Sequence, residues 1–221
     1  MNNRLIIIGT SHIALESFNE VKSKIEEISP DIIALELDGD RFHSLLNPVK
    51  TRPSPFKIGL KFWIINSIGA FIEKKLGKRA GLEPGAEMKI AIKLAKEKNI
   101  KISLIDQPIQ ITFSRLLKNL TLKEKFNFVI EFLKIPFIPF VKKTRLLKLD
   151  LKKVPSSEII SLLMVEVKKK FPTIYEVLIN ERNIYMANRL KLLRQYHPDA
   201  KIIAIVGAGH KKGIELLLKE K

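Results

Sequence analysis

Ile202-Ile203-Ala204-Ile205-Val206, closing into Gly207-Ala208-Gly209-His210, is the stretch that decides the fold. An unbroken apolar run of this length, bounded by glycines, is a strand covered on both faces, as in a parallel sheet. Gly207 and Gly209 let the chain turn sharply as it leaves the strand, so His210 is expected at the rim of the sheet and not inside a core. The amino-terminal end repeats the figure, with Leu5-Ile6-Ile7-Ile8 running into Gly9-Thr10-Ser11-His12. Two Gly-x-x-His turns, each leaving a buried strand, point to one shared site.

Between these two strands the chain alternates. Leu15, Phe18, Val21, Ile25 and Ile28 recur at helical spacing, and Ser29-Pro30-Asp31 stops that helix. Ile32 to Asp38 is the second strand, with Glu36 and Asp38 near its end, and Gly39 to Leu46 is a short helix carrying Arg41. Pro84 marks the first turn of a helix that continues through Glu87 to Asn99. Ile102 to Asp106 is the third strand, followed by a short helix from Gln110 to Lys118 that contains Thr112 and Arg115. Thr121 with Glu124 and Thr173 with Glu176 have capping-box spacing and start two further helices, and Glu158 to Lys169 is another. The last long helix runs from Ile174 to Arg194. Its apolar stripe of Ile174, Leu178, Tyr185 and Leu192 sets Glu181 toward the core or a pocket, with Arg182 and Asn188 close by.

Strands alternating with helices predict an α/β fold, a mostly parallel central sheet flanked by helices. Ligands bind such sheets outside the carboxyl ends of the strands. All four predicted strands finish there in polar chemistry: His12, Glu36 with Asp38, Asp106, and His210. Two imidazoles with carboxylates and no sulfur suit a divalent cation. The expected ligands are His12, Glu36 and His210, with Glu181 or Glu87 as general base. Plainer roles compete. Glu36 and Asp106 are equally explained as helix caps, and Glu87 by the helix dipole alone. Arg41 and Arg115 suit either a substrate carboxylate or a neighbouring Asp, and Glu181 and Arg182 suit a structural ion pair reaching different neighbours. His43 and His197 have no supporting pattern and are read as surface residues.

The 221 residues contain no cysteine, which excludes disulfides and thiolate metal sites. Met1-Asn2-Asn3-Arg4 leads directly into the first strand without a signal-peptide pattern, so a cytoplasmic protein is expected. The net charge of +17 is local: residues 48–82 and 118–154 supply +14 of it, together with Trp63 and eight of the twelve phenylalanines. These basic, aromatic-rich segments form a helical excursion from the sheet. They suit cover for the sheet, a homodimer interface, or helices peripheral to an anionic membrane. Nucleic acid is the less favoured partner, because no recognition motif accompanies the charge. Gly207, Gly209 and Gly213 imitate a phosphate-cradling turn, but too little chain follows for the acidic ribose partner of a nucleotide fold.

The motifs together resemble the TraB/PrgY family, related to the Tiki proteins and more remotely to the ChaN/erythromycin-esterase-like group. The matching runs are Gly9-Thr10-Ser11-His12, Glu36-Leu37-Asp38 with Arg41, Pro84-Gly85-Ala86-Glu87-Met88, Leu104-Ile105-Asp106 with Thr112 and Arg115, Glu181-Arg182-Asn183, and Val206-Gly207-Ala208-Gly209-His210 with Gly213-Ile214. They extend over residues 5–214 in the family's order. The resemblance implies a single α/β domain over residues 1–221 with 48–82 and 118–154 as helical insert or cover segments. It further implies a metal-dependent (Mn, Co or Zn) peptidase-like hydrolase acting on peptides, with both Gly-x-x-His motifs in the active site and Glu181, Arg182, Glu87, Asp106 and Arg115 as its catalytic residues. PrgY-like members lower the output of a peptide pheromone, so a non-catalytic regulatory or tethering protein that retains the fold is the alternative. This chain departs from the family in having Asp106-Gln107 where Asp-Arg is usual. It also stops at Lys221, where many members continue into hydrophobic spans.

Overall fold

The computed structural model describes residues 4–10, 15–47, 85–124, 126–127, 130 and 156–220. His12, Trp63 and nearly all of the two basic segments lie outside the described residues. Four strands, β1 (Leu5–Thr10), β2 (Ile32–Leu35), β3 (Lys101–Leu104) and β4 (Ile202–Gly207), form one sheet in the order β1-β4-β2-β3. Every pairing is parallel. The protein is therefore α/β, and its last strand is inserted between the first two.

The two central strands are buried along their whole length, as their unbroken apolar runs require. Alternate residues serve opposite faces. Ile33, Leu35, Ile203 and Ile205 pack under α1 (Leu15–Ile28) and α3 (Ala86–Glu97), against Val21, Ile25, Met88 and Ile92. Ile32, Ala34, Ile202, Ala204 and Val206 face the other way, toward Met186, Ala187 and Leu190 of α7 (Glu181–Tyr196) and Ile214 of α8 (Ala208–Lys219). Each fully buried isoleucine or leucine in these layers contributes about 1.5–3 kcal/mol relative to exposure.

Ends of elements follow their local chemistry. The first helix stops at Ser29, which takes φ 46 immediately before Pro30. Asp38 caps α2 (Gly39–Leu46) by accepting from the Arg41 N–H at 2.9 Å. Helix α3 begins at Ala86 behind Gly85, whose φ of 78 suits glycine, so the start lies two residues beyond Pro84. Helix α4 spans Ile109–Asn119, and α5 spans Ser157–Lys170.

One expected capping box is present and the other is not. Thr121 Oγ1 accepts from the Glu124 N–H at 3.2 Å, and Glu124 Oε2 accepts in return from the Thr121 N–H and hydroxyl. Thr173 has no such exchange with Glu176. Pro172 at the first helical position sets the start of α6 (Pro172–Tyr175) behind Phe171, and the Thr173 N–H donates to Glu124 Oε1 at 2.7 Å. Burial pushes the Glu124 carboxyl up, but hydrogen bonds from Thr173 and Thr121 outweigh it and hold the pKa below its ordinary value. Glu124 thus joins two helix starts, bonding a residue 49 positions further along the chain. Glu124→Ala is expected to lower stability by about 1.5–3 kcal/mol in urea unfolding at neutral pH. Because the folded pKa is depressed, the deficit shrinks as pH falls through the carboxylate range. A deficit that did not change with pH would exclude this role.

The long helix before β4 is interrupted. Between α6 and α7 lies a π turn, Glu176–Asn180, in which the Glu181 N–H bonds to Glu176 O, five residues back. A π turn amounts to one extra residue, which rotates everything after it by about 100°. Val177 is buried, and in an unbroken α-helix residue 181 would follow it on the same face. With the extra residue, the buried positions are instead Asn183, Met186, Ala187 and Leu190. The expected stripe through Tyr185 and Leu192 is therefore corrected, since both side chains are exposed. Among the described residues, no helix is long and apolar enough to cross a membrane.

Candidate functional site

Strand order brings three strand ends together. β2 lies between β4 and β3, so Glu36, Asp106 and the turn leading to His210 meet at the carboxyl end of the sheet. Glu36, Asp38, Asp106 and His210 are all buried there. The Gly207 N–H, at the amino terminus of α8, donates to Glu36 Oε2 at 2.5 Å. A carboxylate from the protein itself thus occupies the position that a phosphate takes in glycine-rich nucleotide turns. Asp38 does the capping that was also considered for Glu36. Both its oxygens are engaged, Oδ2 accepting from Arg41 Nε at 2.8 Å and from the Ile109 N–H at 3.2 Å.

Arg182 is the centre of the cluster. Its Nε and Nη2 grip Asp106 at 3.1 and 2.5 Å, and Nη2 also bonds Glu36 Oε1. Its Nη1 donates to the carbonyl of Leu178, in the π turn, at 3.3 Å and faces His210 Nε2 at 3.1 Å. All five donors of the guanidinium are thereby used. Burial alone would pull the Arg182 pKa down, but Asp106 and Glu36 outweigh it, so the group stays charged. Burial would likewise raise Asp106, and the hydrogen bonds and charges of Arg182 and Arg41 hold its carboxyl below the usual range instead.

His210 has a defined orientation. Its Nδ1 lies 2.7 Å from Asn183 Oδ1, which can only accept, so Nδ1 carries the proton and Nε2 presents its lone pair toward Arg182 and Glu36. Glu36 Oε1 is 3.5 Å from Nε2. Asn183 reaches the ring across Gly213, where a Cβ would sit 2.2 Å from Asn183 Nδ2. The glycines after β4 thus make room for side chains. Asn183 stands in the run Glu181-Arg182-Asn183 matched above, but its contact with His210 across Gly213 is set by the fold.

Not every expected residue joins the cluster. Glu181 is partly buried and forms a two-pronged pair with the exposed Arg115, both contacts 2.6 Å. That pairing raises the Arg115 pKa. Of the two settings expected for Glu181, the core or a pocket, this position excludes the core, and the π turn is the reason. Glu87 is buried in the first turn of α3. Gln107, where the family usually has arginine, spends its amide on Thr112 at 2.6 Å. β1 and β4 lie side by side with Thr10 opposite Gly207, so the strands that lead to His12 and His210 are neighbours. His12 itself is outside the described residues.

The cluster offsets most of its own charge. Three carboxylates, Glu36, Asp38 and Asp106, face two guanidinium groups, Arg41 and Arg182, and His210 Nε2 lies 3.1 Å from Arg182 Nη1. The point on which Glu36, Asp106 and Nε2 converge already holds positive charge, supplied by Arg182. Among the described residues, no three His, Asp or Glu side chains are spaced as a ready metal cage.

Comparison with known proteins gives a consistent picture. An uncharacterized protein of Methanocaldococcus jannaschii is 39% identical over 98% of this chain and 53% of its own length. TraB domain-containing proteins of Bos taurus and Homo sapiens are 26% and 25% identical, each over 96% of this chain and 62% of the relative. The chain thus spans between about half and three-fifths of the curated relatives it matches. The model of the TraB/PrgY/gumN family matches residues 2–221, all but the first residue, and the chain belongs to that family.

Proposed function

We propose that the carboxyl end of this sheet is a peptide-hydrolysing site that works with a divalent metal ion. The observation that supports the reading best is the convergence of Glu36, Asp106 and His210 Nε2 on one centre of positive charge, the Arg182 guanidinium. In this reading His12, Glu36 and His210 would hold the ion. When bound, such an ion polarises a carbonyl and makes water more acidic.

The chain's own residues do the rest. Asn183 fixes the imidazole tautomer, and the Gly207 N–H fixes the Glu36 carboxylate. Asp106, itself paired with Arg41, holds the Arg182 guanidinium, which would have to exchange one of its present partners to stabilise a developing oxyanion. The general base is a carboxylate outside this set, Glu87 or Glu181, and Glu→Gln substitution at each separates them. A binding role without turnover is the second reading, favoured because the described cluster is already hydrogen-bonded throughout.

Manganese titration followed by electron paramagnetic resonance tests the proposal. One ion per chain is expected for the wild type, and none at micromolar concentration for His12→Ala with His210→Ala. Release of fragments from an unstructured peptide should depend on the same ion. Uptake and cleavage that survive the double substitution would sink the assignment.

A further inference from the structure

Arg182 serves two carboxylates, and they do not depend on it equally. Asp106 takes two of its hydrogen bonds, at 3.1 and 2.5 Å, and is paired with Arg41 as well. Glu36 receives only Nη2, which it shares with Asp106. The contact with Glu36 is therefore the one that the guanidinium gives up most readily, since Asp106 still neutralises its charge afterwards.

Glu36 and His210 are each held from behind by a group that carries no charge. The Gly207 N–H donates to Glu36 Oε2 at 2.5 Å, and Asn183 Oδ1 lies 2.7 Å from His210 Nδ1. The carboxylate and the ring thus have supports of their own and keep their places when the guanidinium withdraws. Their other atoms, Glu36 Oε1 and His210 Nε2, are 3.5 Å apart and both meet Arg182. A carboxylate oxygen and an imidazole nitrogen fixed at that spacing are a pair that a divalent cation can bridge.

We infer that Arg182 is a built-in competitor of the divalent ion. It rests on Glu36 and His210 while the ion is away, and it releases both, but not Asp106, when the ion binds. The inference rests on the metal reading for the ion's place at Glu36 and His210. It also supplies the exchange of partners that Arg182 needs before it can meet an oxyanion, because one hydrogen of Nη1 and one of Nη2 are set free beside the same site.

Manganese affinity of the full chain, read by electron paramagnetic resonance, is the test. Arg182→Met should bind manganese about tenfold more tightly than the wild type, or better, because a unit charge has left the ion's own position. An arginine that only holds the site together would give the opposite result, since its removal loosens Glu36 and Asp106. Arg182→Lys keeps the charge and should stay within about threefold of the wild type. Arg41→Met removes the same unit charge at Asp38 and Asp106 and should gain far less than Arg182→Met. Manganese should also raise the melting temperature of Arg182→Met more than that of the wild type.

The wild type gives a readout that does not depend on the variant's folding. Zinc should move the 15N signals of Arg182 Nη1 and Nη2, assigned by their loss in Arg182→Lys, and leave the Nε–H signal, held by Asp106, in place. Unmoved Nη signals in the zinc-loaded protein overturn the inference, and so does an Arg182→Met affinity equal to or below that of the wild type. Tight uptake by Arg182→Met with none by the wild type removes the metal reading for the natural chain and leaves the competition standing. Wild-type uptake that Arg182→Met fails to strengthen does the reverse, and no uptake by either removes both.

Discussion

Arg182→Met is expected to destabilise the fold by about 3–5 kcal/mol, the cost of leaving a buried charge without its partner. The number follows from position. The Arg182 guanidinium bonds Glu36 and both oxygens of Asp106, and those carboxylates are almost fully buried. Methionine fills comparable volume, so the loss reports charge and hydrogen bonding more than packing. Lysine should recover only part of it, because one ammonium cannot serve Asp106, Glu36, Leu178 and His210 together.

The deficit has a pH signature with a definite sign. In the wild type the Asp106 pKa is depressed, so its contribution to stability is complete above the ordinary Asp value and is lost as pH falls through the folded value. In the variant the buried Asp106 carboxyl keeps Arg41 alone, so it takes up a proton more readily and is stabilised as pH falls. Between pH 7 and pH 5 only the second change acts, so urea unfolding should show the larger deficit at pH 7, and the first change narrows the gap further below the ordinary Asp value. Equal midpoints for wild type and variant at pH 7 would mean that the guanidinium does not hold the site together.

The second large effect is expected from the smallest substitution. Gly213→Ala places a methyl group 2.2 Å from Asn183 Nδ2 and 3.0 Å from its Cγ, so the Asn183 side chain must leave. His210 then loses the 2.7 Å bond that selects its tautomer. Groups that orient a metal-binding imidazole are worth about 10–100-fold in metal affinity or activity, and a loss of that size is expected here. Alanine is the better helix former by about 1 kcal/mol, which offsets the lost hydrogen bond, so the melting temperature should barely move. Asn183→Ala should give the same loss, and the double variant should be no worse than either single one. Losses that multiply in the double variant would show that Gly213 acts on something other than Asn183.

The sheet was legible because its cause is local. Ile32 to Leu35 and Ile202 to Val206 are apolar without interruption, and only a strand buried on both faces accounts for that pattern between glycines and carboxylates. Strand ends could be read for the same reason, so Glu36, Asp106 and His210 could be named as neighbours before their order in the sheet was known. The capping box at Thr121 was legible too, whereas the one at Thr173 was not, because Pro172 and a carboxylate from a distant helix compete for the same backbone groups.

The helix carrying Glu181 and Arg182 shows where such reading stops. Regular spacing turns Glu181 inward, but the π turn at Glu176–Asn180 adds one residue to the winding, so Arg182 and Asn183 face the site and Glu181 meets Arg115 near the surface. No local preference in Glu176-Val177-Leu178-Ile179-Asn180 requires that turn. It is compatible with the five hydrogen-bond donors that Arg182 satisfies once rotated inward, most of them on partners far away in the chain. By itself the sequence determined the α/β class, the strands and the polar character of their carboxyl ends, because burial and periodicity act over a few residues. Only the tertiary structure decided that a guanidinium stands at the centre of those ends, because its place depends on charges brought together from three strands and a helix.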